Sequence, residues 1–196
     1  MLTVSQLSFE RYFQPVFQPL DFQLDAGGLL LVTGANGCGK TTLIRLLAGI
    51  LTASAGSIRS TAAGTAYVGH LLAIKDDLTV TENVRFVRDF LGAGTHSVAE
   101  AVRQMGLHRV AHQLARTLSA GQRKRCALAR LLLSRAELWL LDEPYSNLDD
   151  EGIRLVDTLL QEQCRHGGSC VVATHGRHRP TIAGSREIQL LSGARA

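Results

Sequence analysis

The stretch LLLVTGANGCGKTTLIRLLAG, residues 29–49, places an apolar run before a glycine-rich loop and a helix-like segment after it. Its centre fits the pattern GxxxxGKT through Gly34, Gly39, Lys40 and Thr41. Glycines let the backbone turn without Cβ clashes, so that successive N–H groups can point at phosphate oxygens beside the positive end of a helix. The stretch therefore predicts a strand, a phosphate-binding loop and a helix in that order.

Two side chains of this loop carry the predicted chemistry. Lys40 would neutralise the β- and γ-phosphates, and the Thr41 hydroxyl would bind Mg²⁺. An ordinary glycine turn between strand and helix is the alternative, and the full motif in this context disfavours it. A phosphate loop alone still leaves kinases, GTPases and ATPases open. The predicted nucleotide contacts of the loop are Gly34, Ala35, Asn36, Gly37, Cys38, Gly39, Lys40, Thr41 and Thr42.

A second acidic site follows another apolar run. The run from Leu138 to Leu141 is typical of a parallel strand buried on both faces, and it ends in Asp142 and Glu143. Ligands of open parallel sheets bind at the carboxyl ends of the strands. Asp142 is predicted to hold Mg²⁺ or its water shell, and Glu143 to deprotonate a water aimed at the γ-phosphate. Without the preceding phosphate loop, a solvated acidic pair would be the better interpretation.

The segment LSAGQ, residues 118–122, predicts a second helix start. Ser119 and Gln122 have capping-box spacing, and the residues from Gln122 to Leu133 have helix-forming composition. One chain would then offer two anion-binding helix starts. Two copies facing head to tail could sandwich two ATP molecules between them, which gives a closed, two-fold symmetric dimer. The alternative is that Ser119 merely caps a surface helix.

In their order along the chain, these motifs resemble those of the ATP-binding cassette ATPase family, and the likeness runs from near residue 1 to about residue 192. The resemblance implies an α/β P-loop NTPase with a mostly parallel core sheet, an N-terminal antiparallel β portion and an inserted helical subdomain. It also implies that Ser119 and Gly121 of one protomer contact the γ-phosphate held by the other, and that Gln122 belongs to the same nucleotide site. The segment SNLD, ending at Asp149, would cross the dimer interface.

The resemblance assigns two further contacts to the nucleotide. His175 follows the strand-like run from Cys170 to Ala173 and stands where the family has a switch histidine, which would act with Glu143 and Lys40 in catalysis. An isolated histidine after a strand is usually a surface residue, and only its place in the motif series favours the functional interpretation. Tyr12 or Phe13 would stack on adenine, although either ring could equally be core packing.

One position departs from the family pattern. In AYVGHLLAIK the family's glutamine is replaced by His70, and Leu71 follows it. A neutral imidazole can accept a hydrogen bond from metal-bound water or bind the metal itself, so His70 is a candidate for nucleotide and metal contact. The alternative is a hinge residue that makes no metal contact.

Several segments together resemble one branch of the family. They are YVGH (residues 67–70), ENVRF (82–86) and LSAGQ with alanine at 120, and they look like the ATP-binding subunit of the heme exporter used in cytochrome c maturation. This resemblance implies a homodimer of ATPase subunits that uses ATP and Mg²⁺. It further implies integral-membrane permease partners at the cytoplasmic face of the bacterial inner membrane, and a role in heme handling or in the release of a heme chaperone. A different exported substrate, or a nucleotide-gated dimerisation module with little turnover, are the alternatives.

Length and composition favour a single domain over residues 1–196, since 45% of the residues are hydrophobic and no linker or repeat interrupts them. A helical subdomain is predicted at about residues 71–134, inserted in the α/β core and opened by a capping box from Thr79 to Glu82. The segment REIQLL, residues 186–191, would form a last strand.

Charge and cysteine content exclude several classes. The net charge is +4 without a basic block, which disfavours nucleic acid, and no apolar run approaches the ~20 residues that span a bilayer. The four cysteines lack CxxC or zinc spacing, which favours a reducing compartment without a structural metal. Cys38 is expected either to fill the phosphate loop or to be a reactive thiol. Arg123, Lys124 and Arg125 are expected to face solvent or the dimer interface.

Overall fold

A computed structural model describes residues 1–91, 96–175, 178–180 and 182–193. In chain order the elements are β1 (Leu2–Ser8), β2 (Glu10–Arg11), β3 (Gln14–Pro15), β4 (Leu20–Leu24), β5 (Leu29–Thr33), α1 (Lys40–Leu47), β6 (Ala55–Ser60), β7 (Thr65–Val68), α2 (Val80–Leu91), α3 (Val98–Gln104), α4 (Ala120–Leu133), β8 (Leu138–Asp142), α5 (Asp150–Arg165), β9 (Ser169–Ala173) and β10 (Arg186–Gln189).

The central sheet has the strand order β10, β5, β9, β8, β7, and every neighbouring pair is parallel. All five residues of β5, β8 and β9 are buried. Burial on both faces was predicted for the apolar run from Leu138 to Leu141, which forms β8. The predicted last strand is also present, as β10 beside β5. The mostly parallel α/β core expected from the sequence is confirmed.

The two faces of this sheet bury different layers, because successive side chains of a strand point to opposite faces. On one face Leu30, Val32 and Leu140 pack with α1 and with the strands β1 and β4. On the other face Leu31 and Leu141 pack with α2, α3, α4 and α5. The central sheet therefore separates two hydrophobic clusters, one on each face.

A second, antiparallel sheet has the order β4, β1, β6. It provides the N-terminal antiparallel β portion that the resemblance implied. Strands β2 and β3 form a separate hairpin, with Tyr12 and Phe13 as its two-residue turn. Both turn residues have positive φ, at 52° and 62°, which suits the two-residue turns of β-hairpins.

Helices α2, α3 and α4 lie between β7 and β8 in the chain, within the range where the helical subdomain is predicted. The predicted capping box is present at the start of α2, since Glu82 N–H donates to Thr79 Oγ1 and Thr79 N–H donates to Glu82 Oε2. Asn83 is buried and bonds the backbone of Lys75, Leu78 and Thr79, which fixes the loop before α2. None of the helices in the described ranges combines the length and apolar content that a bilayer crossing requires.

Candidate nucleotide site at the carboxyl edge of the sheet

Four parallel strands deliver the predicted site residues to one edge of the sheet. Val32 of β5 pairs with Ala173 of β9, which also pairs with Asp142 of β8, and β7 ends beside β8. The residues that follow these strands are therefore neighbours in space, although they are far apart in the chain. They include the glycine loop after β5, His175 after β9, Glu143 after β8 and His70 after β7.

The glycine loop needs its glycines at two positions. Gly34 has a φ of 145°, and a Cβ there would lie 2.6 Å from the carbonyl oxygen of Leu190. Gly39 has a φ of 105°, and a Cβ there would lie 2.8 Å from Val16 Cγ1. Both positions therefore exclude a side chain on conformational and steric grounds. Helix α1 begins after Gly39 without a side-chain cap and without an acidic residue in its first turn, which suits an anion.

Lys40 is held inside this loop. Its Nζ donates to the carbonyl oxygens of Gly34 at 2.8 Å and Ala35 at 3.0 Å, and the residue is 7% exposed. These contacts curl the loop around the ammonium group. The positive charge is thereby fixed at the helix start, where a phosphate would also meet the N–H groups of the loop.

Asp142 is a buried carboxylate at the end of β8, with 1% of its surface exposed. Neither oxygen makes a hydrogen bond of ordinary geometry with the described residues, although the Thr41 hydroxyl is close enough to favour the charged form. Burial raises the pKa of Asp142 and the neighbouring Glu143 raises it further, while Thr41, His70 and Lys124 act in the opposite direction. A buried acceptor beside a hydroxyl fits a hard divalent cation such as Mg²⁺.

Glu143 and His175 are in direct contact. Oε1 of Glu143 accepts a hydrogen bond from the His175 backbone N–H at 2.9 Å and lies 2.6 Å from Nδ1 of the ring. Glu143 has a φ of 51°, which is uncommon for a residue with a side chain and marks local strain at the strand end. Its own N–H donates to Ala173, so the acid is tied to the neighbouring strand β9 at both its backbone and its side chain.

His70 is exposed and lies near enough to Asp142 for its charge to lower the pKa of that carboxyl. No described group of three His, Cys, Asp or Glu side chains could hold a metal ion, so a cation here would rely on Thr41, Asp142 and oxygens of the nucleotide. A metal contact by His70 remains a prediction.

The second helix start forms as predicted. Ser119 Oγ accepts from Gln122 N–H at 3.2 Å, and Gln122 Oε1 accepts from Ser119 N–H at 2.9 Å, which completes the capping box of α4. Gly121 lies against the next loop, because a Cβ there would be 2.8 Å from the carbonyl oxygen of Asn147. The LSAGQ and SNLD segments are thus packed together within one chain.

The basic residues after Ser119 correct the sequence analysis. Lys124 is 3% exposed, and burial lowers its pKa, with the carboxylates of Asp142 and Glu143 acting in the opposite direction. The Arg125 side chain is 12% exposed and lies 2.6 Å from Asp149, the N-cap of α5. The expectation that they face solvent is wrong for both residues, while the alternative expectation, a place at the dimer interface, stays a prediction. The periodicity of α4, which turns its apolar face towards the core, was the signal that could have shown the burial of Lys124.

Two other expectations are resolved by exposure. Tyr12 and Phe13 are 89% and 93% exposed, so neither ring is core packing, and both remain available to stack on adenine.

Cys38 is 4% exposed beneath Gly34, where a Cβ on the glycine would lie 2.7 Å from its Sγ. The thiol therefore fills the loop from below.

A cavity of about 420 Å³ lies between the glycine loop and the end of β9, with Gly34, Ala35, Thr174 and His175 among its lining residues. A larger cavity of about 510 Å³ lies between the end of α4 and the end of α5. Its lining contains none of the predicted site residues. A third, of about 270 Å³, lies between α2 and β7 and is lined by aromatic and aliphatic side chains together with Thr65, Asn83, Arg130 and Ser134.

Comparison with known proteins agrees with this geometry. The ABC transporter family model matches residues 17–146. The cytochrome c biogenesis ATP-binding export protein CcmA of Xanthomonas campestris is 45% identical over 99% of this chain and 95% of its own length. The protein of the same name from Cupriavidus pinatubonensis is 41% identical over 100% of this chain and 91% of its own length.

A solved structure shares the fold. It is the dimeric, post-hydrolysis state of the ATP-binding cassette MJ0796 with ADP and phosphate, at 21% identity, a TM-score of 0.87, and coverage of 98% of this chain and 95% of that one. Together with the family match and the relatives over nearly the whole chain, this shows that the protein belongs to the ABC transporter ATPase family, in the group of the cytochrome c biogenesis ATP-binding export proteins.

Proposed function

We propose that this protein is the ATP-hydrolysing subunit of a membrane transport complex that serves cytochrome c biogenesis. The observation that carries the proposal is the contact between Glu143 and His175 at the ends of neighbouring strands, next to the glycine loop that holds Lys40. This arrangement offers a base, a hydrogen-bond donor and a cationic phosphate anchor at one edge of the sheet.

The nucleotide would bind with its phosphates on the glycine loop and its adenine against Tyr12 or Phe13. Thr41 and Asp142 would hold Mg²⁺, which would neutralise charge on the phosphate oxygens when bound. The buried oxygens of Asp142 support this role, because a carboxylate in that environment is stabilised by a cation.

Hydrolysis would use the two oxygens of Glu143 for different purposes. Oε1 is taken by the backbone and ring of His175, so Oε2 is the atom that can accept a proton from the attacking water. Because Nδ1 of His175 donates to the carboxylate of Glu143, Nε2 is the ring atom left to face the γ-phosphate, and it would donate there as part of an imidazolium that carries a proton on both nitrogens. The cavity shared by Gly34 and His175 supports that contact.

A second copy of the chain would complete each site. Ser119 already caps its own helix, and its segment rests on the backbone of Asn147, so the start of α4 is pre-shaped and joined to the SNLD segment. We infer that Ser119, Gly121 and Gln122 of one protomer close over the nucleotide of the other, with Asp149 at the interface.

The membrane partner would dock beside α2. Phe86, Phe90 and Leu91 are exposed by 52%, 82% and 48%, and Leu71, directly after His70, is 78% exposed. An apolar patch of this kind favours a protein contact, and the cavity between α2 and β7 would receive an apolar side chain of a permease segment. Leu71 would bring the same partner next to His70. We place the subunit on the cytoplasmic face of the membrane, with heme or a heme chaperone as the cargo, because the segments YVGH, ENVRF and LSAGQ resemble the ATP-binding subunit of the heme exporter. The relatives named as cytochrome c biogenesis export proteins support the same pathway.

Replacing Glu143 with Gln should slow ATP hydrolysis by about 10² to 10⁴-fold, because the amide cannot accept the proton of the attacking water. ATP binding should persist. Steady-state phosphate release and nucleotide-binding titration measure the two effects. Glu162→Gln, an isosteric change on the exposed end of α5, is the matched control and should keep normal turnover. Normal turnover in Glu143→Gln would contradict the assignment of the base.

Replacing Gly121 with Ala should lower ATPase activity by about tenfold or more, since the new Cβ must displace the backbone of Asn147. The affinity of the glycine loop for ATP should change by less than about twofold. Ala120→Gly, in the adjacent exposed position, is the control. Equal rates in the two variants would show that the contact between LSAGQ and SNLD has no role in hydrolysis. Ala favours helix over Gly by about 1 kcal/mol, which acts against the strain at Asn147, and a melting temperature measured for both variants shows whether lost stability accounts for the lower rate.

Purification of tagged Glu143→Gln protein with MgATP from solubilised native membranes tests the transport role. We expect small integral-membrane subunits and a heme absorbance band in the eluate. The double variant with Phe90→Ser should retain ATP but lose the membrane subunits, because the most exposed ring beside the groove is removed. A permease without heme would reject the proposed cargo, and no membrane partner at all would favour a nucleotide-gated dimerisation module.

A further inference from the structure

Three side chains outside the predicted site form a compact polar cluster, which we call the α5 anchor: Tyr145, Asp157 and His178. The Tyr145 hydroxyl donates to Asp157 Oδ1 at 2.8 Å. Nε2 of His178 lies 2.9 Å and 2.8 Å from the two oxygens of the same carboxylate. Since a carboxylate only accepts hydrogen bonds, Nε2 carries the proton and donates. The two rings also meet edge to face, with centroids 4.6 Å apart.

The α5 anchor joins the two loops that carry the reacting groups. Tyr145 is the second residue after Glu143, and His178 is the third residue after His175. A chain of three residues reaches at most roughly 11 Å, so Glu143 and His175 must each lie within that distance of a residue of the α5 anchor. At their other ends the same loops are joined directly, through Glu143 and His175. Glu143 and His175 are therefore linked in two ways: by their direct contact, and through the α5 anchor, to which each is joined by the chain.

Helix α5, which carries Asp157, is packed firmly in the fold. Asp157 lies in the middle of that helix, and its neighbours Val156 and Leu160 are 1% and 0% exposed against the sheet. The helix is fixed at its start by Asp149, which accepts from Gly152 N–H at 2.9 Å. A carboxylate placed in this way can serve as a fixed reference for two loops.

We propose that Tyr145, Asp157 and His178 are positioning residues that hold Glu143 and His175 in register for hydrolysis. The inference rests on the proposed function, in which Glu143 activates water and His175 contacts the γ-phosphate. None of the three touches nucleotide. They act by setting the separation and direction of the two groups that do, and a shift of about 1 Å in such groups can cost about 10²-fold in rate.

If the three residues only stabilised the fold, replacing them would lower the melting temperature and would leave the turnover of the folded protein unchanged. The side chains of His178 and Asp157 are 33% and 21% exposed, and a single hydrogen bond with this access to solvent adds only modestly to net stability. Burial and the hydrogen bond to Asp157 raise the pKa of Tyr145, so its hydroxyl remains a donor at any physiological pH. Loss of these contacts should therefore change turnover much more than folding.

The test compares His178→Ala, His178→Gln and Tyr145→Phe with His166→Ala as the matched control. His166 caps the far end of α5, where its Nδ1 lies 2.8 Å from the Glu162 carbonyl oxygen. We expect kcat to fall about 5- to 50-fold in His178→Ala while KM for ATP stays within about twofold. His178→Gln should recover most of the rate, because its amide nitrogen can donate to Asp157. Tyr145→Phe should lower kcat with little change in melting temperature.

Several results would overturn the proposal. One is a kcat for His178→Ala equal to that of His166→Ala, and another is a His178→Gln protein no better than His178→Ala. Should His178→Ala fail to fold, a normal kcat in Tyr145→Phe would have the same meaning. Glu143→Gln, assayed in parallel, separates the two claims. If it is inactive while the anchor variants are normal, only the positioning role fails, and if it is active, the proposed catalytic site itself fails.

Discussion

Parallel pairing of β5, β9, β8 and β7 is the constraint on which the site depends. Parallel strands end at the same edge, so the pairing of Ala173 with both Val32 and Asp142 brings the glycine loop, His175 and the acidic pair together. The strands β5, β8 and β9 are held in place by burial on both faces, since α1 and the antiparallel sheet cover one side and the remaining helices the other. The chemistry at the edge is thus fixed by the packing of residues that never meet the nucleotide.

Helix α5 connects the parts of the molecule that must change together in a transporter ATPase. Its N-cap Asp149 pairs with Arg125 on α4, the helix that Ser119 begins. Its middle residue Asp157 is shared by the loops of Glu143 and His175. A displacement of α4 would therefore reach Glu143 and His175 through α5.

The sequence predicted features that depend on local signals. The strand, loop and helix around Gly34, the buried strand before Asp142 and the capping boxes at Thr79 and Ser119 all follow from short patterns with direct physical causes. The helical periodicity of α4 contained the signal for the burial of Lys124, but the sequence could not predict the meeting of His178 with Asp157, because that contact depends on how distant elements pack. The choice between Tyr12 and Phe13 stays open, since both rings stand exposed on the same turn.

The account's central claim is that a nucleotide is hydrolysed between the glycine loop of one chain and the LSAGQ segment of another. A crystal structure of Glu143→Gln with MgATP tests it most directly. We expect a two-fold dimer with the γ-phosphate between Lys40 of one protomer and Ser119 of its partner, the metal at Thr41 and Asp142, and His175 on a γ-phosphate oxygen. A nucleotide bound by a single copy, or one whose phosphates lie away from Asp142 and His175, would contradict the account.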